Sequence, residues 1–200
     1  MKNTITIAKK LAENVQLTLP RTFLRHYNQI NDCPDVDIFQ EEANRDYQIE
    51  APCILSKMLD VSRNTIYKWG QPLDFDGMPA DHQLALGYAI AGNAKNPRRV
   101  KAGEFLYRAF ELASLSEERK LRLISSKEFR RQSKSLLSQI LKVEKSYVET
   151  WGNNMYFTQM PTKYEIVLGY AIEAVEVNTK IICQSQHNGT YAAITSNGAA

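Results

Sequence analysis

The chain aligns with itself. Setting residue n against residue n+82 lays LSKMLDVSRNTIYKWGQPLDFDGMPADHQLALGYAI (55–90) on LSQILKVEKSYVETWGNNMYFTQMPTKYEIVLGYAI (137–172) without a gap. Fourteen of these 36 positions are identical: Leu55, Ser56, Leu59, Val61, Trp69, Gly70, Phe75, Met78, Pro79, Leu86, Gly87, Tyr88, Ala89 and Ile90. The same offset pairs Phe23-Leu24 with Phe105-Leu106, and Asp46-Tyr47 with Glu128-Phe129. Self-similarity at a fixed period constrains architecture before any local signal does. The organisation expected is an N-terminal extension (1–19), a first unit (20–91), a basic linker (92–101), a second unit (102–173) and a C-terminal tail (174–200). The linker GNAKNPRRVK is polar and carries Pro97.

The identities fall on apolar residues, glycines and a proline, which fix a backbone. The differences fall mostly on polar residues. One scaffold carrying two diverged surfaces is the pattern a duplicated fold leaves.

Within each unit the period is helical. Leu84, Tyr88 and Ala91 share a face, as do Leu86 and Ile90. Pro79 and Pro161 stand where the first turn of that helix begins, and Gly70 and Gly152 follow a helical stretch as C-terminal caps. Gly87 and Gly169 lie inside a predicted helix, at a cost of about 1 kcal/mol against Ala. They imply a close crossing, expected beneath Trp69 and Trp151. The fold expected is all-α, two tandem copies of a helix-turn-helix-containing unit. Only the ends are strand-like: TITIA near the start, and KIICQSQ and TYAAITS around an Asn188-Gly189 turn. The last residues, SNGAA, have the composition of a loose tail.

The segment ILSKMLDVSRNTIYKWG carries the functional signal. Ser56 is small where two helices cross, Leu59 and Val61 are apolar anchors at the turn, and Ser62 is an N-cap. Ile66 supplies a buried β-branched residue and Trp69 closes the core. These features resemble the helix-turn-helix of Cro and lambda-repressor-like DNA-binding regulators, over about 40 residues per unit. The resemblance implies a recognition helix whose free face carries Arg63, Asn64, Tyr67 and Lys68, with Ser62 and Thr65 at its start. Arg and Lys suit guanine edges or phosphates, and Asn suits adenine. The turn position that is usually glycine in that family is Asp60 here and Lys142 in the second copy. Lysine tolerates left-handed geometry poorly, so a distorted second turn is expected.

The second copy keeps Ser138, Leu141, Val143, Val148 and Trp151 but exposes Glu144, Lys145, Ser146, Glu149 and Thr150. Carboxylates facing phosphates are unfavourable, which makes the first recognition helix the expected base reader. Lys145 and Ser146 are the DNA contacts expected from the second.

Charge distribution points the same way. Residues 1–91 hold 9 Lys+Arg against 12 Asp+Glu, a balance of −3, whereas residues 92–173 hold 15 against 9, a balance of +6. Lys95, Arg98, Arg99 and Lys101 of the linker form an expected phosphate clamp. Arg119, Lys120, Arg122, Lys127, Arg130, Arg131 and Lys134 extend it. The whole chain, at +3, is not strongly basic.

Other chemistries find little support. There is no phosphate-cradling glycine loop, HExxH, GxSxG or paired-cysteine spacing, and no enzyme or cofactor is expected. Cys33, Cys53 and Cys183 lie far apart, which suits a reducing cytoplasm. The acidic run Asp32, Asp35, Asp37, Glu41, Glu42 lacks calcium-loop spacing and is expected to be solvated surface. Apolar runs fall far short of the roughly 20 residues of a membrane span, and MKNTITIAKK lacks the apolar stretch of a secretory signal. The expected function is a cytoplasmic DNA-binding transcriptional regulator whose partner is double-stranded DNA. A protein-interaction adaptor or inhibitor, with a protein partner on the second unit, is the alternative. A homodimer is a further candidate assembly.

Overall fold

A computed structural model describes residues 2–152 and 154–195, with side chains at 4–152, 154–182 and 184. It is all-helical; no strand occurs among the described residues. The N-terminal helix α1 (Lys2–Asn14) is followed by α2 (Pro20–Tyr27), α3 (Asp35–Ala43), α4 (Arg45–Leu59), α5 (Arg63–Tyr67) and α6 (Ala80–Ala91). Then come α7 (Ala102–Ala109), α8 (Glu117–Ser125), α9 (Lys127–Leu141), α10 (Lys145–Glu149) and the long α11 (Lys163–Thr195), with a 3-10 turn (Leu112–Ser114) after α7. No helix among the described residues is long and apolar enough to cross a membrane.

The bounds of α2 to α5 recur in α7 to α10 at an offset of 82 residues, and α6 and α11 begin within one residue of that offset. Local geometry recurs too. Asp60 and Lys142 have φ of 51° and 50°, and Phe75 and Phe157 both have 43°. The hydroxyls of Ser56 and Ser138 donate to the carbonyls of Val61 and Val143, each at 2.6 Å. The second turn is therefore not distorted. Lys142 takes the same left-handed geometry as Asp60, with its Nζ held by the carbonyl of Ala12 at 2.9 Å.

Two expectations at the ends are corrected. TITIA lies within α1, whose Ala8 and Ala12 are buried against α9 and α11, so a helical face and not a strand pattern governs it. The segment around Asn188-Gly189 continues α11, whose backbone is helical to Thr195. The final SNGAA, and the side chains of Cys183 and His187, lie outside what is described.

The central contact is between α6 and α11. Lys163 Nζ stands 3.8 Å from Asp81 Oδ1 near their N-termini, and Gly92 abuts Ala174 just beyond the C-terminal end of α6. The helices therefore run side by side in the same direction. Both pairs join residues exactly one offset apart, so the contact is made by equivalent positions. Tyr88 of α6 donates to the carbonyl of Ile140, and Tyr170 of α11 donates to that of Met58. Residues 58 and 140 are themselves one offset apart. Such reciprocity, i to j and j to i, is the signature of a two-fold contact. Burial raises both phenol pKa values, so the hydroxyls remain donors across the physiological range.

One hydrophobic core runs through both halves, so neither the extension nor the linker stands apart from it. Val15 and Val100 are buried, and the Thr18 N–H donates to Gln83 O as the Val100 N–H donates to Glu165 O. Here lies the reason for the mid-helix glycines. Gly87 meets the carbonyl of Gln16, and Gly169 meets that of Arg98. The tryptophans are elsewhere: Trp69 packs edge-on against His82 at 5.0 Å, and Trp151 lies tilted against Tyr164 at 5.5 Å.

Candidate functional site

Each half carries a longer helix, a three-residue turn and a short helix: α4, 60–62, α5 and then α9, 142–144, α10. Ile66 and Val148 are fully buried and hold the short helices down. Both turns lie at the N-terminal end of the α6–α11 pair. Leu141, Lys142 and Val143 share a pocket of about 210 Å³ with Ala80, Asp81, Leu84, Lys163 and Tyr164. At the equivalent place Arg99 Nε donates to Asp60 Oδ2 at 2.6 Å, next to Val100 on the first turn of α11. The short helices α5 and α10 are thus held at a common end of the molecule. Asp81, central there, is pulled two ways. Burial works against its charge, while the His82 contact and the charges of His82 and Lys163 favour it and lower its pKa.

On α5 the residues Arg63, Asn64, Tyr67 and Lys68 are exposed, and none of the four enters an ion pair among the described residues. Thr65 is half-buried. Ser62 is committed to the backbone: its Oγ accepts from the Thr65 N–H at 3.2 Å and lies 2.9 Å from Thr65 Oγ1. In α10 the cap position is Glu144, whose side chain makes no cap bond, while Lys145 and Ser146 are exposed.

The linker cations do not form a single clamp. Arg99 is paired with Asp60 and Arg98 with Glu104, at 2.6 and 2.5 Å. Lys101 borders a pocket with Tyr156, Phe157 and Glu165. Lys95 lies beyond the opposite end of α6, beside His26, Tyr27 and Asn93. That helix, at 12 residues, puts about 18 Å between its ends. Only Arg99 and Lys101 approach the end where the turns lie.

A concentrated group of cations lines two adjoining grooves in the second half. Lys127, Arg130, Arg131 and Lys134 of α9 face Lys145 and Glu149 of α10 across a groove of about 240 Å³. A second groove of about 330 Å³ continues past Arg131 and Lys145 to Lys9 of α1. Partial pairing shapes it: Arg131 lies 3.0 Å from Glu128, and Lys134 lies 3.7 Å from Glu149. Hydrogen bonds from Arg131 and Gln132 hold Glu128 below the usual carboxylate range. Arg130 donates to the carbonyl of Ser125 at 3.0 Å. Lys9, Lys127 and Lys145 make no ion pair among the described residues. The α9 residues were legible as a basic run spaced i, i+3, i+4, i+7. Lys9 was not, because only tertiary packing brings α1 beside α9.

The acidic run is not uniformly solvated. Glu42 is 5% exposed and holds Arg25 in a two-pronged pair at 2.7 and 3.1 Å, with Arg21 at 3.4 Å. Burial of one carboxylate is matched by two guanidiniums from α2. Among the described residues no group of three or more His, Cys, Asp or Glu is placed to hold a metal ion. No family model, curated protein or solved structure matches the chain.

Proposed function

We propose that the chain is a tandem of two Cro-like helix-turn-helix units that binds double-stranded DNA as a transcriptional regulator. The observation that carries the reading is the common placement of the two turns. A reciprocal, near-two-fold core presents α5 and α10 from one end, as a dimer of single-motif regulators presents two recognition helices to successive half-sites. Exposed Arg63, Asn64, Tyr67 and Lys68 then face bases or phosphates from the first unit, with Lys145 and Ser146 from the second. Because the two faces differ, the favoured site is an imperfect repeat. Arg99, paired with Asp60, flanks the first turn as a phosphate contact; Lys101 borders the 156–165 stretch of the second half, and Lys95 does not belong to that surface.

The test is fluorescence anisotropy of a labelled random duplex at about 50 and about 200 mM salt. A protein neutralising 6–10 phosphates loses about three to five orders of magnitude in affinity over that range. A steep loss supports the reading. No binding at the lower salt refutes it.

A second reading, a protein-interaction adaptor, draws on one specific feature. Val36 and Phe39 of α3 and Ile49 of α4 are more than half exposed in the acidic first half. A chain that leaves duplex DNA unbound at both salt concentrations favours it.

A further inference from the structure

The six cations of the α9–α10 grooves are set by three helices that are far apart in sequence: Lys9 from α1, Lys127, Arg130, Arg131 and Lys134 from α9, and Lys145 from α10. Among the residues lining the grooves, the carboxylates are Glu128 and Glu149. The positions one offset earlier are quite different. Arg45 and Arg63 are the cations there, balanced by Asp46 and Glu50, and Ile49, Pro52 and Tyr67 stand where Arg131, Lys134 and Glu149 stand in the second half. The scaffold is shared, and the field is not.

We infer that this groove is a phosphate-binding anchor, and that the second half supplies most of the sequence-independent affinity for a nucleic-acid backbone. The inference rests on the DNA reading above and moves the weight of the expected phosphate clamp from the linker to the α9–α10 grooves. The geometry suits the task. Lys145 opens α10 on the exposed face, Arg130 is oriented by the Ser125 carbonyl, and Lys134 is 18% exposed, so its stem is packed while its ammonium borders the groove. Glu149, unfavourable to a phosphate if free, stands 3.7 Å from Lys134. Lys9, Lys127 and Lys145 remain as cations without a carboxylate partner among the described residues, and counterions they release on binding give the salt dependence.

The experiment compares Lys127→Gln/Lys145→Gln with Arg45→Gln/Lys57→Gln in the full chain, using a random duplex and a salt series. All four positions are exposed, and circular dichroism melting checks that each variant folds as the parent does. Removing two phosphate contacts lowers the slope of log affinity against log salt by about 1.8. That drop, with at least a tenfold weaker affinity at about 50 mM salt, is expected for the second-half variant. Lys9→Gln is expected to lower the slope by about 0.9. The inference fails if the second-half variant leaves the slope unmoved, or if the first-half variant lowers it as much. Either result leaves the DNA reading standing when the parent binds. A parent chain that binds no duplex overturns both.

Discussion

Replacing Gly169 by alanine opposes helix propensity to packing, and the structure fixes which prevails. Alanine in a helix interior gains about 1 kcal/mol over glycine. At this position, however, a Cβ would overlap the carbonyl oxygen of Arg98 and lie 2.8 Å from its carbon, closer than the 3.0 Å that real Cβ atoms respect. The obstacle is backbone, so no rotamer relieves it. Segment 97–100 must retreat from α11, straining the bond from the Val100 N–H to Glu165 O at 2.9 Å and the neighbouring Arg99–Asp60 pair. Overpacking costs about 1–3 kcal/mol and a lost hydrogen bond about 1 kcal/mol. Against the propensity gain, the net loss is about 1–3 kcal/mol. For a chain of this size each kcal/mol moves Tm by about 2–4 °C, so a loss of about 2 kcal/mol lowers it by about 4–8 °C. Gly87→Ala meets the carbonyl of Gln16, with Val15 Cγ1 and Thr18 Oγ1 at 3.1 Å, and is expected to lose less because part of the obstruction is side chain. Thermal melts followed by circular dichroism decide it. A Gly169→Ala variant as stable as the parent, or more so, refutes the crossing.

Two further outcomes follow from the cross-half contacts and the charges near them. Tyr88→Phe and Tyr170→Phe each remove one hydrogen bond to the opposite half, so each lowers stability by about 1 kcal/mol, and the double variant adds the two within about 0.5 kcal/mol because they share no partner. Urea midpoints measure this, and a neutral single variant counts against the exchange. Burial raises the carboxyl pKa of Glu173, with Arg98 opposing and Glu176 assisting. A raised folded pKa means stability is lost as pH rises from the unfolded value near 4.5 through the folded one. Glu173→Gln is therefore expected to match the parent near pH 4 and to exceed its Tm at pH 7; equal Tm values at pH 7 contradict it.

The sequence carried much of the fold because its constraints are local and repeated. Ser56, Leu59, Val61, Ile66 and Trp69 announce a helix, a turn and a short helix through size and polarity, and the structure uses them so. The all-helical class followed from periodicity. What failed was tertiary. The partner of Gly87 is a carbonyl 71 residues away, and that of Gly169 lies in a stretch whose composition marks it only as a linker. TITIA alternates like a strand, yet Thr4, Ala8 and Ala12 share one buried helical face. The cationic groove was half legible: α9 shows its spacing, but nothing in MKNTITIAKK says that Lys9 meets it.

The strongest pointer to how the two halves are constrained is the turn at Lys142. A lysine in left-handed geometry costs on the order of 1 kcal/mol that glycine would spare. It keeps a φ within one degree of Asp60's because the turn is held from several sides. Ser138 binds the Val143 carbonyl, Val148 is buried beneath, and Lys142 itself reaches the end of α1. The backbone there answers to the core, and the core answers to the exchange between halves, in which Tyr88 and Tyr170 each need the other half's helix end in register. A change at any of these positions is felt twice, in its own half and across the contact. The solvent faces of α5, α9 and α10 bear no such obligation. Tyr67 and Glu149, or Ile49 of α4 and Arg131, occupy equivalent exposed places with opposite chemistry. A scaffold held at two-fold geometry and surfaces free of it is the condition under which one half can specialise in charge while the other keeps a neutral, partly apolar face.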